Sequence, residues 1–241
     1  MGLFLLGEVS GGKLQRITDA AGGRRMTQLF LIRHGENDYT RTGKLAGWTP
    51  GVGLNEVGRR QALALAEKLK EVPLAAIYSS PLERARETAA PLAEAKKLTI
   101  EIVDGLGEVR YGEWQGKSLK RLARTKLWRT VQSLPSAMQF PQGETFRAVQ
   151  SRAVDAVESL VRAHPKDPIA AFSHGDVIKL VVAHYLGLPL DLFQRLVIAT
   201  ASITILRLGQ GQPALVKLND TSGVEVARPP TSKKHKSPHR S

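Results

Sequence analysis

Two histidines in this chain are each followed by glycine, and each closes an apolar run. Leu29-Phe-Leu-Ile32 leads into Arg33-His34-Gly35-Glu36, and Pro168-Ile-Ala-Ala-Phe-Ser173 leads into His174-Gly175. Short runs of branched and aromatic residues that end in a turn are the pattern of buried parallel strands. Residues just past the carboxyl ends of such strands stand where open α/β sheets hold their ligands. An arginine beside a histidine there attracts an anion and repels a cation, so the chemistry to look for is histidine acting on a phosphate. One histidine at a strand end is more often structural. The same ending on two strands points instead to convergence on one ligand.

A third stretch fits the same crevice. Tyr78-Ser79-Ser80-Pro81 ends a strand and begins a helix, with Pro81 suited to the first helical turn. Arg84 follows one turn in, close enough to the helix start to reach a ligand above the sheet, whereas Arg86 reads as a solvated helix residue. A metal site is not expected. Ligating histidines come with a carboxylate or a third histidine, and the neighbours here are arginines.

The elements that must carry these residues alternate along the chain. Strands are predicted over Leu29–Arg33, Ala75–Ser79, Thr99–Val103, Ile169–Ser173, Ile203–Leu208 and Ala214–Leu218, and helices over roughly 55–70, 82–97, 117–132, 144–163 and 176–187. Asn55 is placed to cap the first helix, along which Ala62, Leu65, Ala66 and Leu69 recur at helical spacing. Gly187 followed by Pro189 ends the last. Alternation of this kind predicts an α/β fold, a single-domain three-layer sandwich whose mostly parallel sheet has helices on both faces. The last two strands, joined by Gly209-Gln-Gly-Gln-Pro213, are expected to form an antiparallel edge.

Composition sets the outer limits. A chain of 241 residues with 42% hydrophobic content is most simply one core-forming domain. No apolar run approaches the roughly 18 residues of a membrane span. The segment Leu3–Leu6 is too short for a signal-peptide core, and the run after Arg24-Arg25 is the first strand rather than an export signal. Without cysteine there is neither a disulfide nor a thiolate ligand, and a cytoplasmic location is expected. Residues 1–25, with six glycines and no period, are expected to be a disordered extension preceding a domain over 26–226. Residues 227–241 form a Pro-rich basic tail that contributes +5 of the net charge of +13. The domain itself keeps a modest positive balance, which suits a protein handling anions and falls short of a nucleic-acid binder. Only weak, nonspecific nucleic-acid contact is expected, from the tail.

With these residues in view, the chain resembles the histidine phosphatase superfamily in its phosphoglycerate-mutase-like branch, over residues 28 to about 208. The resemblance rests on five stretches in order: Leu31-Ile-Arg33-His34-Gly35-Glu36; Gly43 through Leu54-Asn-Glu-Val-Gly58-Arg-Arg-Gln61-Ala; Ser79-Ser-Pro-Leu-Glu-Arg84-Ala-Arg-Glu-Thr88-Ala; Glu108 ahead of Tyr111-Gly-Glu-Trp-Gln-Gly116; and Ser173-His174-Gly175. It implies that His34 is the nucleophile, becoming phosphorylated while its other ring nitrogen donates to a backbone carbonyl. It implies that Arg33 and Arg84 clamp the phosphoryl oxygens and that His174 adds a third donor. It implies the general acid and base role for Glu108, ahead of its neighbour Glu113, because Glu108 alone occupies the family's position. The family commonly places an asparagine on the phosphate at the position held here by Thr40, so Thr40 or Asn37 is expected to make that contact. Gly35 and Gly175 would let the backbone come close to the ligand.

The short interval from Glu108 to His174 resembles the phosphatase members rather than the mutases. Net hydrolysis of a small phosphorylated metabolite is therefore expected, without metal or cofactor. The alternatives are a cofactor-dependent phosphoglycerate mutase and a non-catalytic binder of anions or nucleic acid. Lys117, Lys120, Arg121 and Arg124, drawn on one face of a helix over 117–132, would form either a basic wall guiding the substrate or a solvated face. Tyr39, Trp48, Tyr111, Trp114 and Phe140 are candidate pocket walls. The substrate and the oligomeric state are left open.

Overall fold

Every second residue of the first strand reaches one layer of the core and its neighbours reach the other. Leu29 and Leu31 join one buried cluster, and Phe30 and Ile32 join a second. That is the period-two geometry of a strand covered on both faces. The computed structural model describes residues 25–225. The expected tail (227–241) and the expected extension, apart from Arg25, lie outside the described residues.

Six strands, β1 (Met26–Arg33), β2 (Ala76–Ser79), β3 (Ile100–Ile102), β4 (Ile169–Ser173), β5 (Ile203–Gly209) and β6 (Ala214–Asp220), form one sheet in the order β3-β2-β4-β1-β5-β6. The first four in this order pair in parallel. β5 runs antiparallel to β1, and β6 antiparallel to β5, as the glycine-rich link between them predicts. Helices α1 (Asp38–Thr42), α2 (Glu56–Leu69), α3 (Glu83–Lys96), α4 (Leu119–Leu122), α5 (Lys126–Ser133), α6 (Phe146–Ala163) and α7 (Gly175–Tyr185) complete a single three-layer domain. Leu65, Leu69, Ala85 and Leu92 place α2 and α3 on one face of the sheet. Val149, Val157, Val177 and Val181 place α6 and α7 on the other. Among the described residues, no helix is long and apolar enough to cross a membrane.

Two departures from the predicted elements bear on the site. The five-residue α1 was not expected, because it is too short to show a period; a capping box between Asn37 and Thr40 holds it. The helix predicted over 117–132 is two helices, with Ala123–Thr125 between them. Ser118 caps α4, and Thr125 caps α5 by accepting from the Trp128 N–H. Lys117 therefore precedes the helix, and the single basic face drawn across the segment does not exist.

Candidate active site

The chain leaves β1 toward α2 on one face of the sheet and leaves β4 toward α7 on the other. The loops at these two adjacent strand ends therefore part, and a crevice opens between them, as at the switch point of an open α/β sheet. Arg33 pairs with Ser173 in the parallel register, and the His34 N–H donates to Ser173 O at 3.0 Å. Register alone thus sets the two histidines side by side, with ring centroids 5.2 Å apart.

Each ring is fixed by a neighbour. His34 Nδ1 lies 2.7 Å from Gly35 O. A carbonyl only accepts, so Nδ1 carries the proton and Nε2 keeps its lone pair. His174 Nε2 lies 2.8 Å from Ser80 Oγ, and its Nδ1 lies 3.3 Å from Arg84 Nη2. Arg84 is anchored through Nη2 to Gly47 O at 2.9 Å, and Arg33 through Nη1 to Ile198 O at 2.6 Å. Gly175 gives Arg33 room: a Cβ at this position would come to 3.2 Å from Arg33 Nε, a tight contact that the guanidinium would have to yield to. Gly58 serves the other side of the crevice. Its Cβ would lie 2.0 Å from Glu36 O, so only glycine lets α2 pack against the turn that follows His34.

Glu108 reaches the same crevice from the long connection between β3 and β4. Its Oε1 accepts from the Val109 N–H at 3.0 Å, and its Oε2 lies 3.7 Å from His174 Nδ1. The latter contact is not an ion pair, because burial and then the charge of Arg84 hold the His174 pKa well below the ordinary histidine range. His34 is depressed in the same way, by burial first and by Arg84 and Arg33 next. Glu108 moves in the opposite direction. Burial and the nearby Asp176 carboxylate raise it to about 7, against the pull of Arg84 and Arg33. Two neutral imidazoles and a carboxyl poised at neutrality thus share one basic crevice.

A profile of the histidine phosphatase superfamily (branch 1) matches residues 29–221. The chain belongs to the histidine phosphatase superfamily. Phosphoserine phosphatase 1 of Hydrogenobacter thermophilus is 29% identical over 198 residues, which is 81% of this chain and 93% of that one. The metal-independent phosphoserine phosphatase of Arabidopsis thaliana is 33% identical over 162 residues, covering 65% of this chain and 67% of its own. The structure of Bacillus stearothermophilus YhfR superimposes with a TM-score of 0.78 at 31% identity, over 83% of this chain and all of that one. The protein is a phosphatase, a hydrolase of the histidine phosphatase type.

The crevice of this histidine phosphatase opens into a cavity of about 300 Å³. Arg33, His34, Asn37, Thr40, Arg84, Glu108 and Gly175 all line it. His174 lies beneath them, fully buried. Thr40 lines the wall with its hydroxyl committed, donating to Asn37 O at 2.8 Å and accepting from the Asn37 N–H at 3.0 Å. Asn37 Oδ1 accepts from the Thr40 N–H at 2.9 Å, while its Nδ2 is buried with no acceptor. Of the aromatic candidates, Tyr111, Trp114 and Phe140 line the cavity and Tyr39 does not. Trp48 stands behind the wall, donating through Nε1 to Glu108 O at 2.6 Å. None of Lys117, Lys120, Arg121 and Arg124 lines the cavity; the lysines that do are Lys44 and Lys179. Glu113 is exposed and outside it.

Sequence reasoning missed the residue that holds Glu108 in place. Arg152 of α6 donates to Gly105 O and Gly107 O at 2.8 Å and to Glu108 O at 3.0 Å, while Glu144 pairs with its guanidinium at 2.8 Å. An arginine inside an amphipathic helix carries no local sign of such a task.

Proposed function

We propose that this phosphatase hydrolyses small phosphate monoesters without a metal ion, through a phosphohistidine at His34, with Glu108 carrying the proton. The observation that carries the reading is a set of three buried donors without acceptors on residues that line the same cavity as His34, whose Nε2 keeps its lone pair. They are Arg33 Nε, Arg84 Nε and Asn37 Nδ2. Native proteins rarely leave buried donors unpaired, and a phosphoryl group supplies acceptors to all three.

His34 Nε2 attacks phosphorus in line, forming a P–N bond as the P–O ester bond breaks. Glu108 gives its proton to the leaving oxygen. Arg33, Arg84, Asn37 and His174 stabilise the equatorial oxygens while charge shifts among them. Water then attacks the phosphohistidine, Glu108 takes its proton, and the P–N bond breaks to release phosphate and neutral His34. The near-neutral pKa of Glu108 supports both halves of this cycle. Two buried guanidinium groups beside both histidines repel a cation, which supports chemistry without metal; the Arabidopsis relative is itself described as metal-independent. Protein stripped with EDTA is expected to release phosphate from p-nitrophenyl phosphate at the rate of untreated protein. An absolute requirement for added divalent ion would overturn this part of the reading.

The leaving group is a small metabolite with a second negative charge. Lys179 Nζ is held at 3.2 Å by both Asp176 Oδ1 and Gln194 Oε1, which accounts for two of its three N–H bonds on the cavity wall. Lys179→Met is expected to raise KM about tenfold for O-phosphoserine and 3-phosphoglycerate, in keeping with the loss of one charged hydrogen bond. The same change should leave p-nitrophenyl phosphate within twofold of the unaltered protein. Equal effects on all three substrates would remove Lys179 from recognition.

A further inference from the structure

We infer that Ser80 is a positioning residue that sets the tautomer of His174, placing the ring proton on Nδ1, on the side of Glu108. This rests on the phosphohistidine reading for its consequence but on separate hydrogen bonds for its premise. Ser80 and His174 are both fully buried, and Ser80 Oγ lies 2.8 Å from His174 Nε2. The same oxygen accepts from the Leu82 N–H at 3.2 Å, where the chain turns into α3. Among the described residues, the hydroxyl proton then has one acceptor within reach, His174 Nε2.

A neutral imidazole has a single N–H. If Ser80 donates to Nε2, that N–H is at Nδ1, which lies 3.7 Å from Glu108 Oε2. His174 then enters the reaction as a donor to the phosphoryl group. The opposite arrangement would put the proton on Nε2 and let Nδ1 accept from Arg84 Nη2 at 3.3 Å. It keeps the 2.8 Å contact with its direction reversed and gains the Arg84 one, but leaves the Ser80 proton buried without a partner. It would also leave His174 with no proton to offer an anion. The serine hydroxyl thus does for the second histidine what the Gly35 carbonyl does for the first, with the opposite polarity. A carbonyl draws the proton of His34 to Nδ1 from that same side, and a hydroxyl drives the proton of His174 to Nδ1 from the far side.

The test is the ring nitrogen spectrum of the full-length protein labelled with 15N-histidine, at neutral pH, with and without saturating inorganic phosphate. The His174 signals are assigned by their loss in His174→Gln. We expect a protonated, pyrrole-type Nδ1 and an unprotonated Nε2 in both states. In Ser80→Ala we expect the Nδ1-protonated form to lose its dominance and kcat to fall between about tenfold and a hundredfold, with KM nearly unchanged. A protonated Nε2 in the unaltered protein, in either state, overturns the inference. So does an unchanged His174 spectrum in Ser80→Ala, which would mark a merely structural serine. Neither result touches the nucleophile, whose own failure would appear as activity surviving His34→Ala.

Discussion

Replacing His34 with alanine is expected to lower phosphate release by at least about 10⁴-fold, the scale on which removal of a nucleophile acts when the rest of its site is intact. The effect exceeds that of any single donor, because the donors stabilise a transition state that no longer has an attacking atom. Loss of one such donor costs about 2.7–4 kcal/mol of barrier, or two to three powers of ten. Stability should change little by comparison. His34 is buried but held neutral there by desolvation and two arginines, so its removal takes no counter-charge away from them. The chemical signature is as informative as the rate. Protein quenched during turnover should carry an acid-labile, base-stable phosphoryl group, and His34→Ala should carry none. Activity within tenfold of the unaltered protein, or an undiminished acid-labile label in the variant, would show that another residue takes the phosphoryl group.

The parts of this site that were legible in the sequence are those that local composition determines. Buried parallel strands announce themselves as apolar runs, so the ends of β1 and β4, and hence His34 and His174, can be located before any contact is known. Their meeting needs only the parallel register of adjacent strands. Asn55 was legible for a similar reason: its side chain accepts from the Gly58 N–H, the local bond that a capping residue makes. The rest was hidden by distance along the chain. Lys44, Lys179 and Gln194 come from three separated segments, and only folding brings them to one wall. The basic residues near 120 were visible as a cluster, yet Ser118 and Thr125 each start a separate short helix and none of the four lines the cavity; caps at polar positions interrupt a helix without disturbing its composition. Thr40 shows the same limit in miniature. Its type and place suit a phosphate contact, but its hydroxyl is already used in holding α1.

Changing Glu108 to glutamine separates the two roles of that carboxyl. Glutamine keeps the shape and has no proton to transfer, so loss of general acid catalysis is expected to slow hydrolysis of an alkyl phosphate by about 10²–10⁴-fold. p-Nitrophenyl phosphate has a leaving oxygen that needs no proton, and its first step should be spared. Its turnover then stalls at the phosphohistidine, which still needs a base to activate water, and the acid-labile label should accumulate beyond that in the unaltered protein. The pH dependence follows from the same group. Glu108 must be protonated for the first step, so kcat/KM for an alkyl phosphate should fall as pH rises through about 7, and the variant should lack this limb. The acid limb belongs to His34, which burial and the arginines hold neutral to well below the ordinary histidine range. Stability carries the opposite sign. A carboxyl whose folded pKa is raised favours the folded state below its unfolded pKa and loses that contribution as pH rises through the folded value. With burial lifting Glu108 from 4.5 to about 7, the glutamine variant should match the unaltered protein near pH 4 and exceed it near pH 8, by about 3 kcal/mol. Denaturant melts at the two pH values measure this directly. A variant no more stable at pH 8, with an unchanged alkaline limb, would mean that Glu108 is ionised throughout and that the leaving oxygen takes its proton from another group.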